Sequence, residues 1–131
     1  LEAHRGQKDK AGEPYILHPL WVMCQMETAE ARTAAVLHDV VEDSDWTIDD
    51  LAAEGFAPGV LAAVERLTRR PGEPYDEYVE RAGAHPLART IKIADLRHNL
   101  IATRIANPTD RDEARMERYR RALEALGVSE A

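Results

Sequence analysis

An all-α fold is expected from three features of the chain. Ala, Leu, Glu and Arg are abundant, and these residues lose little side-chain freedom on entering a helix. Strand formers rarely cluster, and no segment alternates with the period of a strand. Apolar positions recur instead at three- and four-residue spacing between proline and glycine stops. A length of 131 residues suits one compact domain over 1–131, and 44% hydrophobic residues can fill its core.

The elements follow in order. Pro19 suits a first turn, where its missing N–H removes no hydrogen bond, so a helix is expected from about Pro19 to Met26. A second is expected over about Thr28 to Glu42, with Ala31, Ala34, Ala35, Leu37, His38 and Val41 along one side. Thr47 followed by Asp50 is a capping pattern that opens a short helix through Ala53. Gly55 and Pro58 punctuate, and Pro58 to Leu67 forms the next helix. Thr68-Arg69-Arg70-Pro71-Gly72-Glu73-Pro74 is basic and turn-forming, the best candidate for a mobile loop. Tyr75 to Gly83 is a short helix with Pro86 just beyond it, and Leu87 to about Ile105 is a long one that Asn107-Pro108 breaks. The last helix, about Asp110 to Leu126, places Met116, Tyr119, Ala122, Leu123 and Leu126 on one stripe, and Gly127 stops it.

Charge narrows the function classes. The 17 Lys+Arg against 24 Asp+Glu leave a formal charge of −7, which argues against a nucleic-acid coat or an anionic-membrane binder. One cysteine, Cys24, excludes an internal disulfide and fits a reducing compartment. No apolar run reaches membrane-spanning length, and Leu1-Glu2-Ala3-His4-Arg5 lacks the order of a signal peptide, so a cytoplasmic protein is expected.

Three stretches gather imidazoles and carboxylates. In Leu37-His38-Asp39-Val40-Val41-Glu42-Asp43, helical spacing aligns His38 with Glu42 and Asp39 with Glu42 and Asp43. Such a face is either a solvated helix end or a compensated site, and Val40, Val41 and the apolar run before His38 favour the second. In Lys92-Ile93-Ala94-Asp95-Leu96-Arg97-His98-Asn99, Asp95 and Asn99 point the same way from an otherwise apolar stretch. His18, before Pro19, stands at a helix entrance, where a histidine serves as a cap, a core residue or a ligand. Two imidazoles and two carboxylates from separate helices make a mixed N/O site suited to Mn²⁺, Fe²⁺, Co²⁺ or Zn²⁺. Such a cation would lower the pKa of a bound water, with Glu42 and Asp43 beside it for proton transfer. Metal-assisted hydrolysis of a phosphate ester or anhydride is the chemistry this predicts.

These pieces, together with His4-Arg5-Gly6-Gln7, Gly12-Glu13-Pro14-Tyr15-Ile16-Leu17-His18-Pro19 and Arg118-Tyr119, occur in the order found in a known family. The chain resembles the HD-domain phosphohydrolases, and within them the hydrolase domain of RelA/SpoT enzymes and the small alarmone hydrolases. The resemblance covers nearly the whole chain. It implies an HD-domain helical bundle that removes the 3′-pyrophosphate from (p)ppGpp-like alarmones, with a small nucleotide as the substrate and no nucleic acid or membrane as partner. It implies that His18, His38, Asp39 and Asp95 bind a metal, usually Mn²⁺, and that Glu42 and Asp43 manage the water and its protons. It also matches Asn99 to a nucleoside contact and Lys10 to a basic residue near the phosphates or base. Tyr119 falls where the family brings a tyrosine toward the nucleotide, and equally on the core stripe of the last helix.

Two departures concern the base. Asp9 stands where the long enzymes carry a stacking arginine, with Ala11 in place of a serine, and Leu96 follows Asp95 where they carry arginine. Neither touches the implied metal residues. Together they open the same chemistry on an adenine alarmone, NADPH or a nucleoside phosphate. A catalytically silent nucleotide-binding domain is disfavoured, because silence leaves buried charges without a use.

Overall fold

The computed structural model describes residues 5, 6, 8, 17–105 and 109–128. The helices are α1 (Leu17–Cys24), α2 (Ala29–Leu37), α3 (Val40–Asp43), α4 (Ile48–Ala53), α5 (Pro58–Leu67), α6 (Tyr75–Gly83), α7 (Pro86–Ile105) and α8 (Asp110–Ala125). Among the described residues, no helix is long and apolar enough to cross a membrane.

Local chemistry sets the starts. Thr28 accepts the Ala31 N–H at 3.0 Å, and Thr47 with Asp50 forms the expected reciprocal capping box. Thr109 and Asp112 form a second box, for which Asp112 is buried at the head of α8. His85 caps α7: its Nδ1 accepts the Ala88 N–H at 3.2 Å. Helix α1 already includes Leu17 and His18, ahead of the Pro19 at which the sequence placed its start, so His18 is a helical residue.

Helix α7 is the centre of the packing, touching α1, α2, α5, α6 and α8. One side of it, Ala88, Ile91 and Ala94, joins a core with Val22, Ala34, Ala35, Val60, Ala63, Val64 and Leu67. Another side, Leu96 and Leu100, joins Tyr78, Val79, Met116, Leu123 and Leu126. At about 100° per residue, Lys92, Asp95 and Asn99 fall on the stripe between these two faces. That places three polar side chains along the seam where the two apolar clusters meet.

The main departure from the sequence reading lies in the second helix. The expected continuous run from Thr28 to Glu42 breaks after Leu37 and resumes at Val40. His38 turns back with its N–H on the Ala35 carbonyl at 3.3 Å, and Asp39 takes φ −105°, ψ −3°. Neighbouring residues on a regular helix diverge by about 100°. Only a break lets His38 and Asp39 face one point on α7.

Candidate functional site

The break, α1 and α7 converge on one spot. His18, His38, Asp39 and Asp95 each offer a ligand atom, all within 4.8 Å of one another. His18 Nε2 lies 2.8 Å from Asp95 Oδ1 and 3.7 Å from Asp39 Oδ2. His38 Nε2 lies 3.3 Å and 3.2 Å from the same two oxygens. Both histidines and Asp95 are buried.

Supporting contacts orient these groups. The His38 Nδ1–H donates to the Ala35 carbonyl, which leaves Nε2 to face the carboxylates. His18 Nδ1 lies 2.6 Å from His98 Nδ1, within hydrogen-bonding distance. His98 is in turn stacked on Trp21, ring centroids 4.7 Å apart. The Asn99 side-chain amide donates to Asp95 Oδ1 at 3.3 Å. Lys92 Nζ donates to Asp95 Oδ2 at 2.9 Å and to the Tyr78 hydroxyl at 3.2 Å.

Burial alone would raise the Asp95 carboxyl and lower Lys92, but each holds the other charged. Asp95 sits well below the usual carboxylate range, with the His18 and His38 hydrogen bonds adding to the effect of Lys92. Burial would likewise lower His38, but the Asp39 carboxylate overrides it and raises the imidazole well above its ordinary value.

This donor set passes a physical test for a divalent cation. Two imidazole nitrogens and two carboxylate oxygens are already gathered, three of the four residues are buried, and the fourth, Asp39, is half-buried. Mixed N/O donors match the ions anticipated from the sequence. Hydrogen bonds and charge attraction hold the same atoms together here.

A cavity of about 450 Å³ opens over the two carboxylates. Its lining includes Asp39, Asp95, Glu42, Asn99 and Tyr119, together with Arg69, Arg70, Lys92 and Arg118. Glu42 accepts a hydrogen bond from the Arg69 backbone N–H, and partial burial raises its carboxyl more than that bond lowers it. Asp43 closes α3 as an exposed residue and is not among the cavity lining. Tyr119 packs against the second core cluster and also lines the cavity. Lys10 lies outside the described residues, as do Asp9 and Ala11.

Sequence reasoning left Lys92, Tyr75, Tyr78 and Arg81 without roles. Lys92 alone carried a signal, since it stands three residues before Asp95 on the same helical stripe. Tyr75 takes the Arg118 guanidinium 4.5 Å from its ring centroid, a pairing between α6 and α8 that no local spacing announces.

No family model matches the chain. Mouse (Mus musculus) MESH1, a guanosine-3′,5′-bis(diphosphate) 3′-pyrophosphohydrolase, is 37% identical over 130 residues, spanning 88% of this chain and 72% of its own length. Human (Homo sapiens) MESH1 is 36% identical with the same coverage. The Aquifex aeolicus guanosine-3′,5′-bis(diphosphate) 3′-pyrophosphohydrolase is 32% identical over 111 residues, 76% of this chain and 16% of that longer protein. The solved structure of a metazoan SpoT ortholog that hydrolyses ppGpp and acts in starvation responses matches with a TM-score of 0.81 at 27% identity. It covers 95% of this chain and 79% of that one. The class is therefore that of the HD-domain hydrolases. More narrowly, the chain belongs to the guanosine-3′,5′-bis(diphosphate) 3′-pyrophosphohydrolase family that includes MESH1.

Proposed function

We propose that residues 1–131 act as a single HD-type unit, a metal-dependent hydrolase that releases the 3′-pyrophosphate of ppGpp-like alarmones as pyrophosphate, leaving GDP or GTP. One observation carries this reading: two buried imidazoles, a buried carboxylate and a half-buried one adjoin a cavity lined by four cationic side chains, on a chain of net charge −7. A polyanionic substrate needs that local reversal of sign.

His18, His38, Asp39 and Asp95 would hold the cation, with Mn²⁺ the ion the family resemblance favours. When bound, it supplies a Lewis acid that polarises the phosphoryl oxygens and acidifies water. The chain's own groups do the rest. Glu42, held by the Arg69 N–H, accepts the proton of the water that attacks the phosphorus, the bond from that phosphorus to the 3′-oxygen breaks, and the proton passes on to that oxygen to leave the 3′-hydroxyl. The raised pKa of Glu42 brings it nearer the working pH, which favours a general base. Asp43, the next residue, serves the proton traffic from outside the cavity lining. Arg69, Arg70 and Arg118 neutralise the phosphates, Asn99 and Tyr119 contact the nucleoside, and Lys10 adds charge near the phosphates or base.

Asp9 supports a second reading of the base. A carboxylate cannot stack on a purine as a guanidinium does, so the adenine alarmone, NADPH or a nucleoside phosphate are the competing substrates. Incubation with Mn²⁺ and a panel of these nucleotides, with the released phosphate species identified, decides between them. Pyrophosphate plus GDP from ppGpp is the expected result. Phosphate released from simple 5′-nucleotides alone would overturn the alarmone assignment, and no turnover of any nucleotide would favour the silent domain.

A further inference from the structure

The loop Thr68–Pro74, read from the sequence as mobile, is tied down by Arg81 of α6. The Arg81 guanidinium meets Glu73 with two bonds, Nε to Oε2 at 2.9 Å and Nη2 to Oε1 at 3.0 Å. Its Nη1 donates to the Glu65 carbonyl at 3.2 Å and its Nη2 to the Thr68 carbonyl at 2.9 Å. The side chain is 14% exposed. Glu73 also accepts the Arg70 N–H at 3.1 Å, and these bonds hold its carboxyl down at about 2. Gly72, at φ 75°, makes the tight bend that brings Glu73 back.

The bond to Thr68 reaches further than the loop. The Thr68 carbonyl and the Arg69 N–H belong to one planar peptide unit, whose two ends point in opposite directions. Arg81 holds the carbonyl-oxygen end of that plane, and the N–H end donates to Glu42 Oε1. A cation at the carbonyl polarises the peptide and strengthens the N–H as a donor. The plane cannot rotate away from Glu42 without breaking the guanidinium bond.

We propose that Arg81 is a positioning residue for Glu42, acting through the Thr68–Arg69 peptide from outside the cavity lining. The proposal rests on Glu42 being the proton acceptor described above. Lysine keeps the charge of Arg81 but presents its donors from a single point, so it cannot serve Glu65, Thr68 and both oxygens of Glu73 together.

The test is a double-mutant cycle on Mn²⁺-loaded enzyme with ppGpp. Arg81→Lys should lower kcat about 10-fold, leave KM and the Mn²⁺ Kd within about twofold, and add less than about threefold to the loss already caused by Glu42→Gln. An equal loss in both backgrounds would overturn the proposal, because a general loosening acts regardless of Glu42. A second readout needs no turnover. The Arg69 amide proton, deshielded by its charged acceptor, should move upfield in Arg81→Lys and in Glu42→Gln. Glu73→Gln, which weakens the hold on Arg81 and leaves Thr68 in place, should move it part of the way and serves if Arg81→Lys does not fold. An Arg69 resonance unmoved in the folded variants refutes the relay. Absence of ppGpp cleavage by wild type would count against the proposed function alone, since the amide measurement still decides the geometry.

Discussion

Replacing Lys92 by methionine tests whether charge balance at the seam of α7 holds the site together. Lys92 and Asp95 are 9% and 6% exposed at the side chain, with Nζ 2.9 Å from Oδ2. Methionine fills similar space without the charge, so the perturbation leaves Asp95 buried without its ammonium. Removing one partner of a buried pair costs about 3–5 kcal/mol. For a chain of 131 residues that is a fall of roughly 10–20 °C in Tm. The loss should be full in EDTA and smaller in saturating Mn²⁺, because a bound cation gives Asp95 a second positive partner. By linkage, each ~1.4 kcal/mol recovered appears as a tenfold tighter Mn²⁺ Kd in the variant. Urea unfolding with and without metal measures the first quantity, and calorimetric titration measures the second independently. A metal-free loss below about 1 kcal/mol, or one unchanged by Mn²⁺, would refute the reasoning.

Three further outcomes are expected. His38 is raised above its ordinary value because Asp39 outweighs desolvation, so its contribution to the metal-free protein is complete below about pH 6.5 and is lost as pH rises through the folded value. A cation must displace that proton, so Mn²⁺ affinity should rise about tenfold per pH unit until His38 is neutral and then level off, with proton release seen by titration in two buffers. Glu42→Gln should lower kcat by about 10²–10⁴-fold with Mn²⁺ binding retained. Asp43→Asn should do less, and the reverse order would reassign the base. Arg70 is 61% exposed, and the Glu65 carboxylate it meets at 3.1 Å is 46% exposed, a bond worth little in water. Arg70→Ala should raise KM for ppGpp about 10-fold with kcat nearly unchanged, an effect that fades at high salt.

Much of this molecule is legible in the order of its residues. Helices declare themselves through local chemistry: Thr47 and Asp50 close a capping box, Pro58 opens α5, and the Met116–Leu126 stripe follows from 3.6-residue periodicity. The candidate metal residues were visible for the same reason. Histidines and aspartates are costly inside apolar helices, so each stood out against its neighbours before any contact was known.

Tertiary structure alone decided how those residues meet. Periodicity favoured an unbroken helix through His38 and Asp39, and the break became worthwhile only because α7 presents Asp95 opposite it. The same holds for Lys92 and Arg81. Surface lysines and arginines are ordinary; the i, i+3 spacing to Asp95 is the one local mark on Lys92, and Arg81 has none. What distinguishes them is burial against partners distant in sequence, Tyr78 fourteen residues from Lys92 and Thr68 thirteen from Arg81. Local sequence encodes backbone preference and the cost of burying a charge, whereas the partner that offsets this cost exists only once the chain has folded.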